Sequence, residues 1–222
     1  MVYDFHSHTC LSDGALSPLE LVRRAHINGY RVIALTDHVG TGYLGRLISE
    51  IAADCALARK HWDIIAIPGV ELTHVPSAAV SHTAKIAREL GARVVVVHGQ
   101  TPAEPVEPGT NLAAVTSPYV DILAHPGLIT LEEARLAAAN GVYLEITGRT
   151  VHGTTNMHVA EMARLAGAGL LINSDSHDEM DLLTPERTLA IAGAASLTDA
   201  EIETTLKTNP VSLISKILGN SA

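Results

Sequence analysis

Short runs of β-branched and aliphatic residues alternate along the chain with longer stretches rich in Ala, Leu, Glu and Arg. The short runs predict strands at Val2–His6, Arg31–Thr36, Ile64–Pro68, Arg93–His98, Asp121–Ala124, Val142–Ile146 and Gly169–Asn173. Most are apolar at successive rather than alternate positions, the pattern of strands buried on both faces. The longer stretches predict helices at Pro18–Gly29, Gly45–His61, Ser81–Leu90, Leu131–Asn140 and Asn156–Ala166, with a helical tail at Thr198–Lys207 and Val211–Leu218. Ser17 precedes Pro18 as an N-cap precedes a first helical proline, and Gly29, Gly91, Gly141 and Gly167 stand where helices close. Gln100–Thr110, with Pro102, Pro105 and Pro108, reads as a loop. Strand–helix–strand repeats require parallel strands joined by right-handed crossovers. That leaves a doubly wound sheet or a closed barrel. No glycine-rich dinucleotide or phosphate loop follows any strand, so nothing supports the first.

Composition narrows the picture. The chain has 222 residues, 47% hydrophobic and 18% charged, which suits one globular domain over 1–222 with C-terminal helices from about 198. One Phe, one Trp and five Tyr leave the core to Ala, Val, Leu and Ile. A net charge of −9 repels nucleic acid and anionic membranes, so a small anionic substrate needs a local source of positive charge. Cys10 and Cys55 have neither metal nor redox spacing and fit a reduced, cytoplasmic setting. Asp4 and His6 interrupt any apolar leader, and no run is long enough to span a bilayer.

The chemistry lies just after the strands. In order come His6 and His8, then Asp37 and His38, Glu71, His98, His125, Glu145 with Arg149, and Asp175 with His177. In a barrel of parallel strands these ends share one mouth, whereas an open sheet spreads them along an edge. Residues i and i+2 of an extended strand point the same way, so His6 and His8 present two imidazoles to one ion; Asp175 and His177 repeat the device. Asp13 follows in a turn ending at Gly14. Six of the twelve histidines fall at strand ends. His26, His61, His74, His82, His152 and His158 fall on helices or loops without pattern and read as surface or core residues.

The stretches HSHTCLSDG, LTDH, GVE, VVHG, AHPG and NSDSH, in this order, resemble the PHP (polymerase and histidinol phosphatase) family, from His6 to His177. The resemblance is to its short stand-alone, histidinol-phosphatase-like members. It implies an α/β fold, a distorted (β/α)7 TIM-like barrel, with the metal site at the C-terminal ends of the strands. It also implies up to three divalent ions, zinc, manganese or iron. By motif, His6, His8, Glu71 and Asp175 hold the first, Glu71 bridges to a second on His98 and His125, and Asp13, His38 and His177 hold the third. Three divalent ions outweigh the three carboxylates and leave net positive charge for a phosphate. The expected reaction is hydrolysis of a small phosphomonoester by metal-activated hydroxide. Asp37 is expected either to orient a ligand imidazole or to cap a turn, and Arg149 to contact phosphate bidentately.

Three other readings compete. An amidohydrolase barrel also opens with His-x-His, but it has eight strands and no role for Asp13, His38 and His177. A non-catalytic, metal-stabilised module is the second. A nucleotide or oligonucleotide phosphoesterase is the third, although no basic and aromatic platform for a strand stands out.

Overall fold

The computed structural model describes residues 1–219; residues 220–222, the end of the expected domain, lie outside it. The strands are β1 (Val2–Asp4), β2 (Tyr30–Leu35), β3 (His38–Val39), β4 (Ile65–Leu72), β5 (Val94–His98), β6 (Ile122–Ala124), β7 (Tyr143–Thr147) and β8 (Leu170–Asn173). All pair in parallel in the order β1-β2-β4-β5-β6-β7-β8. The two-residue β3 continues the line of β2 and pairs with β4, His38 opposite Glu71. The sheet nearly closes into a barrel. Ser7 and Ser176 bridge its two edges, His8 N–H donates to the Ser176 carbonyl (2.9 Å) and Asp175 N–H to that of His6 (3.0 Å).

Each strand on this path is followed by a helix: α1 (Pro18–Ile27), α2 (Leu44–His61), α3 (Val80–Glu89), α4 (Thr110–Thr116), α5 (Leu131–Asn140), α6 (Asn156–Ala166) and α7 (Pro185–Ala194). Two of these, α4 and α7, were not expected from the sequence, and they complete the (β/α)7 repeat. Helix α4 has seven residues, three of them β-branched, which hides its period. Helix α7 does carry a start signal: Thr184 accepts from Arg187 N–H and Pro185 opens the helix. The glycine stops hold, with Gly91, Gly141 and Gly167 all left-handed. Ser17 makes no side-chain cap, and Pro18 alone marks the start of α1.

The expected successive apolar positions are explained by two burials. Val94 and Val96 point into the barrel with Phe5, Val32, Ala34, Ile67, Ile122 and Leu171, while Val95 and Val97 pack outward under the helices. The tail runs as α8 (Asp199–Glu203), a π-turn at Thr204–Thr208 and α9 (Asn209–Leu218). Pro210 offers no N–H to the preceding turn, and the helix widens there. Leu213, Ile214 and Ile217 of α9 join the interior cluster, and Lys216 reaches Asp121 (3.2 Å) just ahead of β6. Helix α9 therefore plugs the N-terminal end of the barrel and leaves the other end for the site. Among the described residues no helix is long and apolar enough to cross a membrane.

Candidate metal centre

Period-two counting from the barrel interior locates most of the site. Val32 and Ala34 face inward on β2, and the same parity reaches His38; Ile67 leads to Glu71, Val94 and Val96 to His98, Tyr143 to Glu145, and Leu171 to Asp175. His125 has the wrong parity after Ile122 and Ala124. Its left-handed backbone, φ 26°, re-aims it, and Asp175 is also left-handed at φ 52°. Among the described residues four non-glycines have positive φ, and two of them are in this cluster, where backbone strain tends to collect. Asp175 and His177 are thus not an extended repeat of the His6–His8 pair, although their side chains converge on the same mouth. The glycines of VVHG and AHPG have a packing reason: a Cβ on Gly99 would meet the Ala124 carbonyl oxygen at 2.3 Å, and one on Gly127 the Gln100 oxygen at 2.1 Å. The loops carrying His98 and His125 touch backbone to backbone.

Glu71, fully buried, lies at the centre. Its Oε1 is 3.4 Å from His6 Nε2, 3.4 Å from His98 Nδ1 and 3.6 Å from His125 Nε2, and its Oε2 is 2.5 Å from His38 Nδ1. Nε2 of His6 and of His8 are 3.0 Å apart, and Asp175 Oδ1 is 3.2 Å from the latter. Asp13 Oδ2 is 3.2 Å from His177 Nε2 and 3.6 Å from His38 Nε2. Two donors each about 2 Å from one tetrahedral ion stand roughly 3.3 Å apart, so the separations of 3.0–3.6 Å are compatible with shared ions, whereas the 2.5 Å contact of Glu71 with His38 is that of a hydrogen bond. Among the described residues, six of the ten buried side-chain polar atoms without a hydrogen-bond partner belong to this cluster: Glu71 Oε1, His8 Nδ1, both ring nitrogens of His98, His125 Nδ1 and Asp175 Oδ2. Such atoms are costly unless something satisfies them, and divalent cations fit the carboxylate and imidazole donors present.

Ring orientation sorts the donors further. An imidazole lone pair lies in the ring plane, so two rings binding one ion must have planes that meet about 2 Å beyond each nitrogen. His6 and His8 cross at 63°, His98 and His125 at 70°, His38 and His177 at 49°. The face-to-face pairs are closer to parallel: His8 with His38 at 31°, His8 with His177 at 28° and His125 with His152 at 24°. Each of the three pairs that the motif resemblance assigns to one ion is crossed, as are His38 with His98 at 54° and His98 with His152 at 88°.

Charge follows from this packing. Burial opposes ionisation of Glu71 and Asp175, but His6 and its neighbours outweigh it and hold both carboxyls well below their usual range. Burial likewise disfavours charge on His6, and Glu145, Glu71 and Asp175 overcome it and raise that imidazole well above the ordinary value. His38 rises to about 9 because Glu71 outweighs its burial, whereas burial takes His8 down to about 4.

The contacts of Glu145 are those of a group that orients a neighbouring imidazole. Its Oε2 accepts from His6 Nδ1 (2.8 Å) and Asn173 Nδ2 (2.9 Å), which turns His6 Nε2 toward Glu71. Asp37 has the outward parity of Ile33 and Leu35, so it does not face the imidazoles. It accepts from Thr9 N–H (2.7 Å), Ser12 N–H (3.1 Å) and both hydroxyls, and so holds the turn that presents Asp13. Arg149 reaches the cleft, 2.8 Å from His177 Nδ1 and 3.7 Å from Asp181 Oδ2. His152 was taken for an ordinary loop histidine. It instead lines the same cleft of about 300 Å³ with Arg149, Asp175 and His177. The legible signal was its place in the loop after β7, on the mouth side of the barrel.

The model of the PHP domain matches residues 3–102. An uncharacterised protein of Methanocaldococcus jannaschii is 46% identical over 218 residues, 98% of this chain and all of that one. A chain of the cryo-EM structure of archaeal ribonuclease P with mature tRNA superposes with a TM-score of 0.69 at 14% identity, over 98% of this chain and 94% of its own. Histidinol phosphate phosphatase from Lactococcus lactis, complexed with zinc, L-histidinol and phosphate, superposes with a TM-score of 0.60 at 17% identity, over 88% and 94%. At these identities the two structures share the fold.

Proposed function

The chain belongs to the PHP domain family, and on that premise we propose that it is a metal-dependent phosphoesterase acting on a small phosphomonoester. The observation that carries the reading is the gathering of six imidazoles with Glu71, Asp175 and Asp13 into overlapping groups of potential metal donors at one mouth of the barrel. When bound, divalent ions supply the acidity that makes a hydroxide nucleophile from water at neutral pH and the charge that offsets the phosphoryl oxygens.

The chain's own residues do the rest. His6, His8, Glu71 and Asp175 form the first donor set, His98 and His125 share Glu71 in the second, and Asp13, His38 and His177 form the third. Glu145 fixes the His6 tautomer, and Glu71 Oε2 does the same for His38 through Nδ1. His177 Nδ1 lies within reach of both Arg149 (2.8 Å) and the Asp175 carbonyl (3.0 Å). A ligating Nε2 puts the proton on Nδ1 and commits it to that carbonyl. Arg149 is then released toward a phosphate oxygen, the role expected of it from the sequence.

Among the described residues Arg149 is the only Lys or Arg lining this cleft, which Glu104 also lines. One cation and a small cleft suit a terminal phosphate better than a polymer track. The likeness to a ribonuclease P chain favours a second reading, an oligonucleotide end as substrate. Protein reconstituted with zinc, manganese or iron, assayed for phosphate release from a panel of monoesters, nucleotides, short oligonucleotides and bis(p-nitrophenyl) phosphate, separates them. Turnover of small monoesters is expected; cleavage of diesters or oligonucleotides alone overturns the first reading.

A further inference from the structure

His152 stands outside the three pairs that the motif resemblance assigns, yet it is 95% shielded from solvent and lines the cleft. Its ring stacks on His125, centroids 4.4 Å apart and planes at 24°. Donor atoms of His125, His152 and Asp175 lie within 4.8 Å of one another, near enough to share an ion, so the tautomer of His152 decides between a further ligand and a wall of the site.

Its tautomer can be read from the neighbouring hydroxyl. His152 Nδ1 is 3.0 Å from Oγ1 of Thr101, itself buried, and that oxygen also takes the Ala103 N–H at 3.4 Å. Among the described residues this buried hydroxyl meets no acceptor other than the ring, so its single proton goes there. Thr101 therefore donates to Nδ1, and the neutral ring carries its own proton on Nε2, the polar atom left for the cleft. This places an N–H donor on the cleft, beside His125 and on the same loop as Arg149.

We propose that His152 is a substrate-binding residue whose Nε2–H donates to a non-bridging oxygen of the bound phosphate, with its tautomer set by Thr101. The inference deepens the phosphoesterase reading and rests on it for the identity of the anion. Arg149 supplies charge and His152 a neutral, directional donor, so together they fix the orientation of a tetrahedral anion against the ions. A hydrogen bond to a charged group of this kind supports roughly 10- to 100-fold in affinity.

The test measures binding of inorganic phosphate to metal-loaded protein by calorimetry, beside metal content and turnover of a monoester. His152→Ala is expected to keep its metal content and bind phosphate roughly tenfold or more weakly. His152→Gln, which returns an N–H, is expected to recover most of that loss. Thr101→Val keeps the imidazole but frees its tautomer and is expected to fall between. Loss of metal from His152→Ala overturns the proposal by making His152 a ligand; unchanged phosphate affinity overturns it by removing the contact. Wild-type protein that binds phosphate, weakens on His152→Ala, but hydrolyses no monoester sinks the functional reading and leaves the role of His152 standing. Wild-type protein that binds no phosphate sinks both.

Discussion

Glu145→Gln is the sharpest test of how the centre is held. The native carboxylate is fully buried and meets three donors: His6 Nδ1 at 2.8 Å, Asn173 Nδ2 at 2.9 Å and the His125 N–H at 3.3 Å. A carboxylate only accepts, so all three are satisfied. Glutamine replaces one oxygen with NH2. Since Oε2 serves two donors, the amide keeps its oxygen there and turns NH2 toward the His125 N–H. That leaves a buried backbone donor facing a donor, at about 1–3 kcal/mol, and removes the charge assistance from the His6 bond, worth roughly 1 kcal/mol more. The sum, about 2–4 kcal/mol, corresponds to a fall of roughly 5–12 °C in Tm for a chain of this size. Because His6 loses its orientation, affinity for the first ion should also drop about 10- to 100-fold. Thermal melts of metal-free protein and chelator competition with metal-loaded protein measure the two effects. If the variant melts like wild type and holds its metals equally well, Glu145 is an ordinary polar core residue and the orienting argument is wrong.

Two further outcomes follow from the same geometry. Asp37→Ala removes the acceptor that gathers Thr9 and Ser12, so Asp13 loses its place and one equivalent of metal is expected to be lost while the other sites stay filled; metal analysis showing all ions retained, or all lost, contradicts this. Metal-free protein should also be most stable near pH 6.5. His38, at about 9 in the fold against 6.5 free, stabilises fully below 6.5 and loses that contribution as pH rises through 9. His8 and His152, both about 4, contribute above 6.5 and lose it as pH falls through 4, because the unfolded chain takes up protons that the fold refuses. Each is worth on the order of 3 kcal/mol. Urea titrations across pH 4–10 check the curve, and a stability that only rises or only falls refutes it.

The residues that gather at the mouth of the barrel were the most readable in the sequence. His6, His8, Glu71, His98 and His125 could be found because a strand end is a fixed address in a parallel barrel. Asp37 and His38 sit side by side in sequence, but successive strand residues face opposite sides, and only the register of β2 decides which one looks inward. With both faces apolar, that register leaves no alternation to read. His152 was passed over because its loop position counts for more than its neighbours in sequence do. Helix α4 was hidden by its β-branched residues, whereas the Thr184–Pro185 start of α7 was legible and was missed.

The bridge between Ser7 and Ser176 joins the two ends of a circle whose intervening chain is nearly the whole protein. His6 and His8 hang on one side of that junction, Asp175 and His177 on the other. An ion shared across it would act as a clasp. It can fasten only after the last strand has emerged from the ribosome, and until then the ring stands open. Amide hydrogen exchange in stripped protein should therefore be fastest along β1 and β8, and metal should slow it there first.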